Sequence, residues 1–428
     1  MPCLAPPAAP VAAAATSALF GNPGIESSDP SGEAQMNRPR YAPPVSISRR
    51  DFTRTLAALP AAALIGCGDR GGGGNSSEAP AAEAWAGYED AFVVDALASP
   101  GPFNVPDRIG APLTQAMIDN AAASGITAVN VTASGGGAMP EEAHQDTLRH
   151  LDYWAREVEA HPEVLRFART VQEIRAAKAE GRLALILGFQ DTLMLGTDLS
   201  RLDEFHGRGV KIIQLTYNQP NLVGEGCLAP SNGGLTEFGR RLVEAMEESG
   251  ILVDLSHCGQ RTTAEAIALA AGPVAVTHSG CAAVFDHPRS KRDEELRALA
   301  EKGGVIGIYM MPFLNPEGPA TADDFYRHIE HAVQVCGEDH VGVGTDNSIT
   351  PTVADETYRS TLQAFADERQ RRGIGAPREY EVLFVPELND PRRMEQVGRG
   401  LLSRGHSVGR VEKILGGNWM RLFGEVWG

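Results

Sequence analysis

Aromatic residues make up only 6% of this 428-residue chain, and nowhere do they interleave with lysine and arginine in a stripe. The 38 basic residues are outnumbered by 55 acidic ones, for a formal charge of −17. A surface of that sign repels phosphate backbones and anionic headgroups, so nucleic acid is not an expected partner. Long apolar runs are missing too: the run from Leu56 to Gly66 has 11 residues, too few for a helix to span a bilayer. No repeat of the solenoid type is evident. Cysteines number six. Apart from Cys3 and Cys67, four remain, Cys227, Cys258, Cys281 and Cys336, which allow about three disulfide connectivities or four buried thiols. What is plentiful is alanine and glycine, a mix suited to closely packed helix-on-strand layers, and 43% of the chain is hydrophobic, enough for one large core or two modest ones.

The amino-terminal text reads as an address. Residues 1–46 are rich in Pro, Ala and Ser and have no period; they are expected to be disordered or untranslated, with Met36 as an alternative start. Ser48-Arg-Arg-Asp-Phe52 resembles the twin-arginine export motif, and Leu64-Ile-Gly-Cys67 resembles the lipobox of bacterial lipoproteins. The expectation is export as a folded protein to the periplasmic face and membrane anchoring through acylated Cys67. Residues 1–67 are read as leader plus signal, 68–84 as a Gly- and Ser-rich tether, and 85–428 as the folded domain.

Within that domain, short runs rich in Val and Ile recur, each followed by a helical pattern. They are "FVVDALAS" (92–99), "ITAVNVTA" (126–133), "LALILGFQD" (183–191), "VKIIQLTYN" (210–218), "ILVDLSH" (251–257), "VAVTHS" (274–279), "GVIGIYM" (304–310) and "HVGVGTDN" (340–347). Eight strand-then-helix units predict an α/β fold, a (β/α)8 TIM barrel, with a doubly wound open sheet as the second topology. Two inserts depart from the minimal unit: a long helical stretch from Pro140 to Gly181, and charged, Pro-rich residues 350–390. Both are expected near the catalytic mouth.

Side chains at the carboxyl ends of barrel strands converge on one mouth. Here those positions hold Gln190 and Asp191, Tyr217 and Asn218, His257, His278 and Ser279, and Asp346. Two histidines ending consecutive strands, with an aspartate ending the last, form a His/carboxylate set suited to zinc. Arg289, just beyond the sixth strand, is placed to clamp a substrate carboxylate with its bidentate fork.

"ILVDLSHCGQRTT", "VAVTHSGCAAVFDHPRSKRDEELRALAEKGGVIGI", "VGVGTDN" and "LGGNWMRLF" resemble successive blocks of the membrane dipeptidase (renal dipeptidase, peptidase M19) family, and "GFQDT" and "IQLTYNQPNLVGEGC" resemble blocks of its bacterial branch. The likeness runs from about Phe92 to Gly424. It implies an amidohydrolase-type (β/α)8 barrel that hydrolyses dipeptides, often with a D-residue at the carboxyl end, at a two-zinc centre bridged by a glutamate; homodimers are a family expectation. His257 and His278 match two histidine ligands of one zinc, Arg289 matches the arginine that holds the substrate carboxylate, and Asp346 matches the catalytic aspartate. The bridging glutamate falls on Gln190, and the substrate-contacting histidine on Tyr217. Leu97 and Ser99 occupy the positions of the first strand's ligands.

The resulting expectation is a metallodipeptidase holding one zinc at His257 and His278, with Asp346 as candidate third ligand and as general base, and with Gln190 at a degenerate bridging position. Arg289, Tyr217 and Asn218 are the expected substrate-binding set. Asp95 is expected to be a hydrogen-bonded carboxylate below the mouth, and Asp191 a less favoured substitute ligand. The alternative is a lipid-anchored, non-catalytic relative that binds a peptide-like or cell-wall-derived ligand.

Overall fold

Along each apolar run, successive side chains fall into two separate cores, as a sheet buried on both faces requires. Val129 and Val131, Leu185 and Leu187, Ile213, Val253, Val276 and Ile306 join one cluster with the surrounding helices. Ala128, Ala184, Ile186, Ile212, Leu252, Ala275 and Val305 join a second. A computed structural model describes residues 85, 87–103 and 111–428, all in one unit of the chain, Ala79–Gly428. The leader, the twin-arginine stretch, Cys67 and the tether lie outside the described residues.

The strands are β1 (Val94–Asp95), β2 (Ala98–Ser99), β3 (Ala128–Thr132), β4 (Leu165–Phe167), β5 (Leu183–Phe189), β6 (Val210–Gln214), β7 (Leu252–Asp254), β8 (Ala275–Ser279), β9 (Val305–Ile308), β10 (Val341–Val343) and β11 (Asn347–Ser348). Eight of them form a ring in the order β3-β1-β10-β9-β8-β7-β6-β5, and the β3–β5 pairing closes it; every pairing is parallel. The closing pair excludes the open sheet and leaves the barrel. β4 lies outside the ring, paired to the first half of β5. It interrupts the long stretch expected to be helical. β2 and β11 form a separate two-stranded ribbon above β1 and β10.

The helices are α1 (Gln115–Ala123), α2 (Pro140–Ala160), α3 (Val171–Ala179), α4 (Ser200–Gly207), α5 (Glu237–Glu248), α6 (Gln260–Leu269), α7 (Asp293–Glu301), α8 (Ala322–Cys336), α9 (Glu356–Arg371), α10 (Arg393–Ser403), α11 (Val408–Glu412) and α12 (Asn418–Trp427). Threonine hydroxyls at 114, 170, 236 and 321 accept bonds from backbone N–H groups in the first turns of α1, α3, α5 and α8. Each such cap is worth about 1 kcal/mol. α12 closes the barrel at the end away from the mouth. Its Trp419 is fully buried with the second cluster and donates Nε1–H to Val343 O at 3.1 Å. A Cβ on Gly342 would collide with that indole, so the absent side chain is what lets the ring seat against β10.

Several strands stop short of their expected ends. β6 ends at Gln214, β7 at Asp254 and β10 at Val343, so Tyr217, Asn218, His257 and Asp346 all sit on turns just past the strands rather than within them. The first strand breaks after Asp95 because that carboxylate accepts the Leu97 N–H at 3.3 Å, curling the chain away from the ladder.

Candidate active site at the barrel mouth

The two histidines reach each other because of local irregularity. β8 carries a bulge: Val276 pairs with Ile306 but Ser279 with Ile308, so three steps on one strand match two on its neighbour. A bulge of this kind re-aims side chains. The extra residue turns His278 toward His257, which lies three residues past β7, and their Nε2 atoms are 3.0 Å apart.

Both imidazoles are held from behind. Asn218 donates Nδ2–H to Ile374 O at 2.8 Å, so its Oδ1 faces His257 Nδ1 at 2.6 Å and that ring nitrogen is assigned the proton. Tyr217 stacks on the same ring, with centroids 4.2 Å apart. His278 Nδ1 lies 2.8 Å from Thr277 Oγ1, whose own hydrogen goes to Asp254 Oδ2 at 2.6 Å, so here too Nδ1 donates. Asp254 also accepts from Ser256 Oγ at 2.5 Å and from the Thr277 N–H at 2.9 Å. The two Nε2 atoms are thereby left as bare lone pairs aimed at one another. A proton between them is disfavoured: burial, and then the Arg289 charge, push both imidazole pKa values well below the ordinary histidine value. A cation resolves the conflict. Two bonds of about 2.0–2.1 Å at a tetrahedral angle place imidazole nitrogens about 3.3 Å apart. The donor pair therefore fits one zinc ion. Among the described residues no set of three His, Cys, Asp or Glu side chains stands at ligand spacing.

Arg289 is 2% exposed and donates Nη1–H to Ser256 O at 2.6 Å, with its guanidinium 5.8 Å from the Tyr309 ring centroid. Its Nη2–H reaches His278 O at 3.4 Å, so the guanidinium is held from behind by the two strand-end backbones while its fork suits an incoming carboxylate. Asp346 is buried in a turn with φ of 59°, a left-handed conformation, and its N–H bonds to Leu97 O at 2.8 Å. It is close enough to Tyr217 and Tyr309 to raise the pKa of each, though burial is the larger cause in both.

The membrane dipeptidase (peptidase family M19) profile matches residues 112–377. The chain belongs to this family. Dipeptidase tcpJ of Claviceps purpurea is 27% identical over 293 residues, 68% of this chain and 62% of that protein. Dipeptidase verJ of Clonostachys rogersoniana is 30% identical over 260 residues, 60% of this chain and 66% of that one. The chain thus spans just under two thirds of the length of these relatives. Among solved structures, an amidohydrolase from Pseudomonas aeruginosa matches with a TM-score of 0.68 and 28% identity, covering 80% of this chain and 98% of that one. A metallopeptidase from Rhodobacter sphaeroides, solved with a phosphinate mimic of the dipeptide L-Ala-D-Ala, matches with a TM-score of 0.63 at 19% identity, covering 79% and 99%.

In this membrane dipeptidase relative the expected residues are distributed unevenly. His257, His278, Arg289 and Tyr217 share one neighbourhood. Asn218, expected to touch substrate, instead spends both ends of its amide on His257 and Ile374. Asp191 accepts from Asn221 and from the Thr192 N–H, each at 2.7 Å, and braces the loop after β5; burial raises its pKa. Gln190 is half-buried and its carbonyl accepts from Gln214. Asp95 is 1% exposed and takes two bonds from Thr345 at 2.7 and 2.8 Å, below the mouth. Leu97 is buried yet joined to neither apolar cluster, and Ser99 accepts from the Gly101 N–H. Cys227, Cys258, Cys281 and Cys336 are four free thiols.

Two contributors escaped the sequence reading. Arg369 of α9 donates Nη2–H to the Tyr217 hydroxyl at 3.2 Å and pairs with Glu379 at 2.7 Å. With Ile374 bonded to Asn218 and Pro377 O bonded to His287 Nε2 at 3.0 Å, the insert after β11 is fastened across the mouth.

Proposed function

We propose that the chain is a metal-dependent hydrolase that cleaves the peptide bond of dipeptides, including those with a carboxyl-terminal D-residue, with a single zinc held by His257 and His278. The observation that carries this reading is the pair of unprotonated Nε2 atoms facing each other across 3.0 Å. When bound, such an ion polarises a carbonyl group and makes water more acidic. Arg289 meets the carboxylate end of the dipeptide with its guanidinium fork and sets which bond lies in the mouth. Tyr217, with Arg369 at its oxygen, is left with its own O–H to donate toward the substrate. Asp346 takes the proton of the attacking water and returns it to the leaving amine. Leu97, Ser99 and the neutral Gln190 are a poor donor set for a second ion, which supports an altered, single-metal member of the bacterial branch.

A second reading, a non-catalytic binding protein for peptide-like or cell-wall-derived ligands, is favoured by the neutral Gln190 at the bridging position. Elemental analysis of the purified protein, with release of amino acids from L-L and L-D dipeptides, separates the two. The hydrolase reading expects about one zinc per chain and turnover of at least one dipeptide class. No bound metal and no turnover, even with added zinc or manganese, would sink it. We further infer export by the twin-arginine route and anchoring at the periplasmic face through acylated Cys67. Cys67→Ser should move the protein to the soluble fraction, and a variant still pelleting with membranes would overturn the anchor.

A further inference from the structure

We propose that residues 373–378 are a lid on the barrel mouth and that His287 is the positioning residue through which closure of the lid reaches Arg289. The inference rests on the reading of Arg289 as the group that holds the substrate carboxylate. His278, Arg289 and His257 are 0%, 2% and 4% exposed, too little surface to receive a dipeptide until something over the mouth moves. The segment after α9 is what crosses it. On the β6 side, Asn218 Nδ2 donates to Ile374 O at 2.8 Å and Gln219 Nε2 donates to Gly373 O. On the β8 and β9 side, His287 Nε2 donates to Pro377 O at 3.0 Å, and Arg378 donates to Pro312 O at 2.7 Å, Pro316 O at 2.5 Å and Asn315 Oδ1 at 3.0 Å. Side-chain bonds of this kind exchange for water one at a time, whereas the barrel strands part only with the whole fold. Arg369 of α9 pairs with Glu379 at 2.7 Å, and Glu379 also accepts the Ala376 N–H at 2.9 Å, which ties the ends of the segment together. It therefore lifts and seats as one piece.

His287 is built as a relay. Its buried ring stacks on Phe313, with centroids 4.5 Å and planes 7° apart, and this contact fixes the lines along which its two nitrogens point. Pro377 O can only accept, so Nε2 carries the proton and Nδ1 is left bare to accept the Arg289 N–H at 3.2 Å. Burial holds the imidazole pKa down at about 4, so at neutral pH the ring has one proton for its two nitrogens. With the lid lifted, Nε2–H loses its acceptor and the ring is free to take the other tautomer. Nδ1–H then faces the Arg289 N–H, donor against donor, and the main chain at Arg289 is released. With the lid seated, that main chain is held at both ends, its N–H by His287 and its carbonyl by Ser279 Oγ at 2.7 Å. The seated lid and the ordered clamp are thus one state, and by reciprocity a carboxylate held by Arg289 favours the seated lid.

Three variants test the relay. His287→Phe keeps the stack and removes both nitrogens, while His287→Gln keeps one donor and one acceptor. Arg378→Gly unfastens the far end of the lid and suits the left-handed backbone there, where φ is 70°. The zinc-loaded, full-length protein and its variants are compared by amide hydrogen exchange and by hydrolysis of L-alanyl-D-alanine. His287→Phe should speed exchange of residues 373–376 by about tenfold, and His287→Gln should stay within about threefold of the unsubstituted protein. In Arg378→Gly the Arg289 amide should exchange about tenfold faster, although the substitution lies in the lid. His287→Phe should also raise KM about tenfold with kcat within about twofold, since carboxylate binding is lost alike from ground and transition states. The double variant His287→Phe/Arg378→Gly should be no worse than the worse single one, because both act by one route. Unchanged exchange of residues 373–376 in both His287→Phe and Arg378→Gly would overturn the lid. An Arg289 amide indifferent to Arg378→Gly, a Gln variant no better than Phe, or independent effects in the double variant would overturn the relay. If no dipeptide is hydrolysed, the dipeptidase reading fails, and the exchange measurements alone decide the lid and its link to Arg289.

Discussion

Removing the Asn218 side chain takes the acceptor away from His257 Nδ1, and with it the reason that Nε2 stays bare and aimed at His278. Outer partners of this kind typically contribute 10- to 100-fold in metal affinity. Asn218→Ala should therefore lower zinc retention by about that factor in competition with a chelator, while Asn218→Asp, which keeps an acceptor for Nδ1–H, should recover much of it. Asp95 makes a different prediction at the same scale. Burial raises its carboxyl pKa from 3.8 to about 6, against the opposing pull of Thr345 and Arg393. A raised pKa means that the folded state holds the proton more tightly than the unfolded chain. The stability this contributes is fully present below pH 3.8 and is lost as pH rises through about 6. A shift of that size corresponds to roughly 3 kcal/mol. Urea midpoints measured between pH 4 and pH 7 should fall with rising pH from this source, and Asp95→Asn should flatten that part of the profile. An unchanged slope in the variant would assign the pH dependence to other groups.

The insert after β11 shows how one element can complete a site that another begins. Arg369 and Glu379 are both largely buried, with side chains 13% and 7% exposed, and Glu379 also accepts the Ala376 N–H at 2.9 Å. Breaking such a buried pair from one side costs about 3–5 kcal/mol, because it strands a charge. Glu379→Gln should lower thermal stability by an amount in that range and loosen α9 from Tyr217; the double variant with Arg369→Met should recover part of the loss. Differential scanning of the three variants measures it. These two residues carry no signal in the sequence, since each is one charge among many in a stretch without apolar period and meets Tyr217 only through the fold. By contrast, the eight ring strands were legible because each is a Val- and Ile-rich run buried on both faces. β4 was not, since only Leu165 of its three residues is fully buried. The pairing of His257 with His278 was legible as two strand-end histidines, but the turns and the β8 bulge that bring their Nε2 atoms together were not. Bulges and side-chain-terminated strands such as β1 depend on single hydrogen bonds that leave no periodic trace.

At the scale of the whole molecule, the histidine pair couples metal to folding. In the unfolded chain the two imidazoles are separated by 21 residues and share no geometry, so the site exists only in the native barrel. A ligand that binds only the native state stabilises it by RT ln(1 + [L]/Kd), about 2.7 kcal/mol at a hundredfold excess over Kd. For a domain of this size that is a rise of a few degrees in Tm. Zinc added to chelator-treated protein should produce such a rise, growing with the logarithm of free zinc, and neither His257→Ala nor His278→Ala should show it. Gln190→Ala should keep the rise, because the neutral amide is not needed to hold a single ion between the histidines. If Gln190→Ala abolished it, or if both histidine variants still responded, the ion would be bound elsewhere on the barrel and the single-metal site would be wrong.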